Sequence, residues 1–224
     1  MTSRRAISVA AGCATALALF AAAPLARSEL LDRVIASVNG KPILLSRAEE
    51  QARIAALLDG RTPQAISAAH RQAALDALID QALVRKQMAQ DPVVVTGGEV
   101  TARLAEIRGE LNATGDEPWQ LLLIRYQVDE TAVRACIRSQ LEQLKFIEAR
   151  FRPSARAGAA EVEKFYREDY VPRIRRQGGH ELPLHEVRAQ IEQILTERQI
   201  TSQMDGWLKS LRADSNVRVL VKFE

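Results

Sequence analysis

Cysteine and aromatic residues are scarce in this chain of 224 residues. The first scarcity limits the possible disulfides and thiol chemistry, and the second limits the residue types of the core. The two cysteines are Cys13 and Cys136, and Cys13 lies in an apolar N-terminal stretch that we expect to be removed. Cys136 then has no partner for an intramolecular disulfide. Val133 and Ile137 accompany it at helical spacing, which favours a small buried hydrophobe over a reactive thiol. Aromatic residues make up only 4%, so we expect a core of mostly Leu, Ile, Val and Ala.

Residues 1–28 have the pattern of a secretory signal peptide. An arginine pair precedes an apolar stretch from residue 6 to about residue 23, and small residues follow before Glu29. We expect cleavage after Ser28, because Ala26 and Ser28 put small residues at both recognition positions. The alternative is an uncleaved membrane anchor, which the alanine-rich and interrupted character of the stretch disfavours.

The charge balance gives no basis for a nucleic-acid partner. The chain has 31 Lys plus Arg and 28 Asp plus Glu. The signal peptide takes three of the basic residues with it, which leaves 28 to balance the 28 acidic ones. A protein that binds phosphates needs a large surplus of Lys and Arg, and the mature chain is formally neutral.

Strand patterns occur only near the two ends of the mature chain. Val34, Ala36 and Val38 alternate with Ile35 and Ser37, and an Asn-Gly hairpin turn at positions 39–40 leads into a second apolar run. Residues 217–221 alternate in the same way. Because an isolated hairpin is marginally stable in water, we predict that the last strand pairs with the first. This pairing would bring residue 220 beside residue 36 and close the chain into one unit.

All the sequence between these strands has either the apolar periodicity of helices or the residue types that begin and end them. The first predicted helix runs from Arg47 to Asp59 with a capping box of Ser46 and Glu49, and the second from Thr62-Pro63 to Asp91-Pro92. A capping box of Thr96 and Glu99 opens the third, and the fourth begins at Asp116. The remaining helices are predicted from Asp129 to Pro153, over residues 162–170, and from Leu184 to about Ala213. The last would span roughly 45 Å, enough to bridge the molecule. Prolines and glycines predict a loop over residues 171–183.

The patterns of common catalytic and metal sites are missing from the sequence. His185-Glu186 begins a zinc-protease helix motif, but Ala189 occupies the position of the second ligand. We find no nucleophile elbow, no phosphate-binding glycine loop and no dinucleotide-binding turn. We therefore assign no catalytic residue, no metal and no cofactor.

Four segments near the ends of the chain carry a family resemblance. They are DRVIASVNGKPIL at residues 32–44, ALDALIDQAL at 74–83, LPLHEVRAQI at 182–191 and WLKSLR at 207–212. Together they resemble the core module of SurA-type periplasmic chaperones, with residues 217–221 as its closing strand. The resemblance implies a mostly α fold, in which a helical chaperone core carries a small antiparallel sheet of an N-terminal hairpin and the C-terminal strand.

The resemblance also implies a domain organisation. Residues 29–152 would form the hairpin and helical chaperone core, and residues 184–224 would complete the same core with the long helix and closing strand. In such proteins parvulin-type prolyl isomerase domains usually lie between these parts. Here the interval is only residues 153–183, too short for an independent core, so we interpret it as a short helix and linker that replace the parvulin domain.

The function that the resemblance implies is that of a periplasmic, ATP-independent holdase. Its partners would be unfolded or partly folded exported polypeptides, including outer-membrane proteins, bound through apolar contacts in a groove beside the long helix. The candidate client-binding residues are the aromatics Trp119, Tyr126, Phe165, Tyr166 and Tyr170. For each of them the alternative is an ordinary place in the core, because amphipathic stripes usually face the protein's own interior.

Other interpretations remain open at the level of sequence. One is a peptidyl-prolyl cis-trans isomerase family member with residual activity, which would need a pocket that we cannot place. Another is an adaptor that docks through the strand at 217–221, should that strand prove unpaired. The long helix also permits a homodimer in which the closing strand is swapped between chains. An uncleaved signal would hold the protein at the inner membrane, whereas its removal leaves no stable membrane insertion.

Overall fold

The computed structural model describes residues 32–223, and this part of the chain is predominantly helical with one small sheet. The predicted signal peptide lies outside the described residues. The elements in chain order are β1 Val34–Val38, β2 Lys41–Leu44, α1 Leu45–Leu58, α2 Ala68–Met88, α3 Gly97–Glu110, α4 Asp116–Tyr126, α5 Glu130–Phe151, α6 Ala159–Phe165, α7 Val171–Arg176, α8 Leu184–Ala213 and β3 Val217–Val219. A 3₁₀ turn at Pro63–Ala65 precedes α2, and a π-helical turn at Tyr166–Tyr170 joins α6 to α7.

The sheet joins the two ends of the described chain. Its order is β2-β1-β3, and both pairings are antiparallel. The hairpin turn has positive φ at Asn39 (50°) and Gly40 (81°), as a two-residue hairpin of this type requires. Ala36 pairs with Val219, one position from the predicted partner 220. The predicted closure of the first strand on the last is confirmed, and it occurs within one chain.

Apolar side chains from both ends of the chain share one core with α2. The buried members are Ile35, Ala36, Val38, Ile43, Ala48, Leu75, Leu78, Ile79 and Leu83. Leu211, Val217, Val221 and Phe223 from the C-terminal end pack against them and are half-buried. Since burying one Ile or Leu side chain contributes about 1.5–3 kcal/mol, this shared core holds the termini together more strongly than the short strands can.

A second core lies among α1, α3, α4 and α5. It contains Ile54, Leu57, Val100, Leu104, Ile107, Trp119, Leu123, Tyr126, Val133, Cys136 and Ile137, among others. Cys136 is buried and is a free thiol, which confirms its interpretation as a small core hydrophobe. Its burial also raises the pKa of the thiol, which keeps the side chain protonated and unreactive.

Helix α8 begins and ends where the sequence predicted and connects the separate parts of the fold. Val187 and Ile191 near its start are buried against α6 and the turn that follows α6. Ile200 packs against Phe151 at the end of α5, and Leu211 reaches the core beneath the sheet. Within residues 32–223, no helix has both the length and the apolar character needed to cross a bilayer.

The predicted capping box at the start of α1 is wrong. Helix α1 begins at Leu45, directly after β2, and Leu44 occupies the cap position without a side-chain hydrogen bond. Ser46 therefore lies inside the first turn. Its backbone N–H donates to Asp32 Oδ1 at 3.2 Å, and its hydroxyl also donates to the Asp32 carboxylate. The acceptor for this helix end comes from 14 positions earlier in the chain, beyond the reach of a local motif.

Two further boundaries differ from the prediction. The Thr62-Pro63 pair opens only the 3₁₀ turn, and α2 begins at Ala68 with Ser67 as its cap. The predicted loop over residues 171–183 is shorter, because α7 occupies its first six residues. Proline in the first turn of a helix needs no N–H partner, so Pro172 does not prevent α7. The predicted capping box of Thr96 and Glu99 and the predicted Asp129 cap are confirmed.

Candidate functional site

Two of the five predicted client-binding aromatics lie in the core of α1, α3, α4 and α5. Trp119 is buried, and its Nε1–H donates to Glu130 Oε2 at 2.9 Å. The guanidinium of Arg108 lies 5.6 Å from the centre of the indole ring. Tyr126 is also buried, and its hydroxyl donates to the Arg61 carbonyl at 2.5 Å. Each ring therefore has its polar group satisfied inside the protein.

The other three predicted aromatics pack against α8. Phe165 and Tyr170 are buried, and Tyr166 is half-buried. The rings of Tyr166 and Tyr170 are stacked with centroids 5.6 Å apart, and the Tyr166 hydroxyl donates to the Leu182 carbonyl at 2.9 Å. The guanidinium of Arg198 on α8 lies 4.8 Å from the Phe165 ring centre.

The five predicted residues are thus divided between two cores and do not line one groove in this conformation. Four of them have almost no surface to offer a client. The hypothesis that they bind clients stays a prediction. It requires that α6 separates from α8, or that α4 separates from the core that it forms with α1, α3 and α5.

Exposed apolar side chains occur on the outer face of α4 instead. Leu121 is 61% exposed and Ile124 is 71% exposed, whereas Leu123 on the inner face is buried. Residues 121–124 are four consecutive apolar residues, which together cover most of the circumference of a helix. No single face can bury all of them, so the sequence contained a signal that some must face solvent.

A second exposed apolar pair lies where the segment before α3 meets α5. Val94 is 76% exposed and Leu144 is 55% exposed. Lys145 ties the two segments together, because its Nζ donates to the Val94 carbonyl at 2.9 Å and lies 2.5 Å from Glu99 Oε1. The ammonium and the cap of α3 lower the pKa of Glu99 to about 2.

A cavity of about 660 Å³ opens between β2, α1 and α2. We call it the hairpin cavity. Its apolar lining consists of Val38, Pro42, Ile43, Leu44, Leu78 and Ala82. Its polar lining consists of Ser46, Gln81 and five charged residues, namely Lys41, Arg47, Glu50, Arg53 and Arg85. No local sequence motif marks this cavity, because its walls come mainly from three separate elements.

An aromatic cluster secures α8 to the end of α5. The Trp207 ring lies 5.9 Å from Phe146 and 5.7 Å from Phe151, the latter edge-on. Arg150 covers the indole at 5.0 Å from its centre. Closer to the sheet, Arg212 Nε donates to Asp80 Oδ1 at 2.7 Å and links α8 to α2. These contacts fix the long helix across the body of the protein.

The carboxylates with lowered pKa among the described residues have structural partners. In the part of the chain that the structure describes, no three His, Cys, Asp or Glu side chains are grouped as a metal site would require. The carboxylates with lowered pKa hold structural partners: Glu130 is hydrogen-bonded by Arg134 and Trp119, and Asp32 by Ser46. Exposed apolar surface and the hairpin cavity are the features of the described residues that another molecule can contact.

Comparisons with known proteins identify the fold. No family model matches the chain, and no curated protein matches it. A solved structure matches with a TM-score of 0.51 and 13% sequence identity, over 84% of this chain and 99% of the other. The matching structure is described as that of the virulence factor PEB4 and the periplasmic protein Cj1289, two structurally related SurA-like chaperones of Campylobacter jejuni. The chain therefore has a SurA-like fold, as the sequence resemblance implied.

Proposed function

We propose that this protein is an ATP-independent chaperone of the bacterial cell envelope that binds unfolded or partly folded exported polypeptides. The observation that carries the proposal is the shared fold, which extends over 99% of a chain from the SurA-like chaperone structure. In this chain the hairpin, the helical body and the closing strand share one core and form one unit.

Solvent-exposed apolar side chains supply a physical basis for such binding. Leu121 and Ile124 project from α4, and Val94 and Leu144 form the second exposed pair. A client segment that covers them removes apolar surface from water on both partners, which is favourable at roughly 25 cal/mol per Å². Four separated side chains give a small area, so we expect weak and reversible binding, as a holdase that releases its clients needs.

The predicted domain organisation becomes part of the proposal. Residues 153–183 form α6, the π-helical turn, α7 and a loop, without a strand. We propose that this helical segment stands in place of a parvulin domain and that residues 29–152 and 184–224 form one chaperone core. The location would be the periplasm, reached through the signal peptide at residues 1–28.

The alternative functions gain no support from the described residues. An isomerase of the parvulin type needs a compact domain around the X-Pro bond, whereas residues 153–183 form short helices and a loop. The adaptor hypothesis required an unpaired C-terminal strand, whereas β3 is paired with β1. A swapped homodimer remains compatible with the fold, because the same strand pairing can form between two chains.

The decisive experiment is an aggregation assay without ATP. A urea-unfolded outer-membrane protein is diluted into buffer with the chain from Glu29 onward, and light scattering is followed over time. We expect suppression at a few-fold molar excess, and none with serum albumin at equal mass. Undiminished scattering at several-fold excess would contradict the proposal. An isomerisation assay on a proline peptide runs beside it, and acceleration there would favour the enzyme alternative.

A further inference from the structure

We propose that the hairpin cavity binds client segments in which an apolar side chain adjoins a carboxylate. This inference deepens the proposed chaperone function and rests on it, because it names the class of client sequence that one site selects. It is carried by the charge of the cavity lining, by one unsatisfied donor and by the mixture of apolar and cationic walls.

The charge of the lining is strongly unbalanced. Four cationic side chains and one carboxylate line the cavity. The carboxylate, Glu50, is paired with Arg47. The remaining three, Lys41, Arg53 and Arg85, have no ion pair within residues 32–223. An anionic group that enters the cavity therefore meets an excess of positive charge that the protein itself does not neutralise.

Arg53 adds a more specific observation. Its Nε–H is shielded from solvent and has no hydrogen-bond acceptor among the described residues. A donor removed from water without an acceptor is costly, so a shift of the half-buried Arg53 side chain toward an acceptor in the cavity would be favourable. A carboxylate is the acceptor that matches a guanidinium best, because two parallel N–H···O bonds can form.

The apolar walls indicate that the ligand has an apolar part beside its carboxylate. Val38, Pro42, Ile43, Leu44, Leu78 and Ala82 form the other part of the lining. A volume of about 660 Å³ lies in the range of pockets that enclose several side chains. A segment with alternating apolar and acidic side chains would cover the apolar walls and neutralise the cations at once.

The neighbouring strand edge favours recognition through side chains. Strand β2 is an edge of the sheet, but it has only four residues and contains Pro42. Proline has no N–H to donate to an added strand, and a short edge offers few hydrogen bonds. A client in this cavity would therefore be selected by its side chains and not by strand addition.

The test uses three unlabelled peptides of equal length in calorimetric titrations with the full mature chain. The first repeats Leu-Glu-Ser, the second Leu-Gln-Ser and the third Leu-Lys-Ser. We expect the Glu peptide to bind at least about tenfold more tightly than the Gln peptide and the Lys peptide to bind most weakly. The double variant Arg53→Gln and Arg85→Gln should bind the Glu peptide about tenfold more weakly than the wild type.

Matched variants keep the test interpretable. Arg173→Gln removes an exposed arginine of α7 that does not line the cavity, so it should leave peptide affinity unchanged. Arg85 is exposed, so Arg85→Gln alone is expected to fold normally and to show part of the loss if the double variant is unstable. Far-UV circular dichroism checks each variant.

Three results would overturn the inference. They are equal affinity for the Glu and Gln peptides, unchanged affinity in the arginine variants, and displacement of the Glu peptide by phosphatidylglycerol vesicles, which would make a lipid surface the occupant. The two proposals fail separately. The aggregation assay with a client that lacks acidic residues tests the chaperone function alone. The difference in affinity between the Glu and Gln peptides tests the cavity alone.

Discussion

Asn39 and Asn216 are hydrogen-bonded to each other twice across 177 positions of sequence. The Asn39 N–H donates to the Asn216 carbonyl at 2.9 Å, and the Asn216 N–H donates to Asn39 Oδ1 at 3.1 Å. Asn39 also has a φ of 50°, a left-handed conformation that asparagine and glycine tolerate better than other residues. One side chain thus supports both the hairpin turn and the attachment of the C-terminal strand.

Replacing Asn39 should therefore separate these two contributions. We expect Asn39→Ala to lower the free energy of unfolding by about 1–2 kcal/mol, since it loses the hydrogen bond and strains the turn. Asn39→Gly keeps the turn but not the bond, so its loss should be smaller. Urea unfolding measures both. Equal losses for the two variants would show that turn conformation contributes nothing here.

A cross-strand disulfide tests whether the sheet closes within one chain. Ser37 and Arg218 are directly opposite on β1 and β3, a position that brings Cα atoms to about 4.5–5.5 Å. Ser37→Cys with Arg218→Cys should form an intrachain disulfide, while the buried Cys136 stays reduced. Non-reducing gel electrophoresis of the oxidised protein should show a monomer. A covalent dimer at low protein concentration would instead support strand swapping.

The aromatic cluster between α5 and α8 should contribute measurably to stability. Trp207 contacts Phe146, Phe151 and Arg150 but is only half-buried. We expect Trp207→Ala to lower the free energy of unfolding by about 2 kcal/mol, and Trp207→Phe by about half as much, because a ring is retained. Circular dichroism in urea reports both without relying on tryptophan fluorescence. A loss under about 0.5 kcal/mol for the alanine variant would mean that α8 is held elsewhere.

The sequence predicted the elements whose signals are periodic or local. The alternation at 34–38 and 217–221 located the sheet, and the apolar stripe of α8 located both of its ends. The start of α1 was mispredicted because Asp32, which accepts from Ser46, is remote from it in sequence. Residues 171–176 were mispredicted because proline near the start of a helix was interpreted as a helix breaker.

The candidate sites were harder to predict than the fold for a physical reason. The type of an aromatic residue does not determine whether its ring faces a client or the core, and Trp119 and Tyr126 face the core. The hairpin cavity could not be predicted because its lining residues share no local sequence pattern. Lys41, Arg53 and Arg85 are far apart in sequence, and only the packing of β2 with α1 and α2 brings them to one cavity.

The acid stability of the α3 cap should depend on Glu99. Its pKa is lowered from 4.5 to about 2, chiefly by Lys145 and then by Thr96. A carboxyl whose pKa is depressed in the folded state stabilises the protein above its unfolded pKa, and this contribution is lost as the pH falls through the folded value. Glutamine can still accept the Thr96 N–H, so Glu99→Gln mainly removes the charge.

The wild type should accordingly melt at a higher temperature than Glu99→Gln above pH 4.5. The difference should shrink as the pH falls from 4.5 and should vanish near pH 2. In a Lys145→Met background the same substitution should have a smaller effect, because only the hydrogen bonds from Thr96 then favour the charged carboxylate. Thermal melts between pH 7 and pH 2 measure this, and a difference that is independent of pH would contradict the assignment.

The outer face of α4 offers the most direct mutational test of the proposed client contacts. Leu121 and Ile124 are largely exposed, so Leu121→Ser with Ile124→Ser should change the free energy of unfolding by no more than about 0.5 kcal/mol. The double variant should nevertheless require about twice the molar excess to suppress client aggregation, because it removes apolar surface that a client would cover. Leu220→Ser is the matched control, since Leu220 is 62% exposed but lies beside the sheet. If the control and the α4 variant suppress aggregation equally well, clients are held by other surfaces, and the hairpin cavity becomes the principal candidate for client binding.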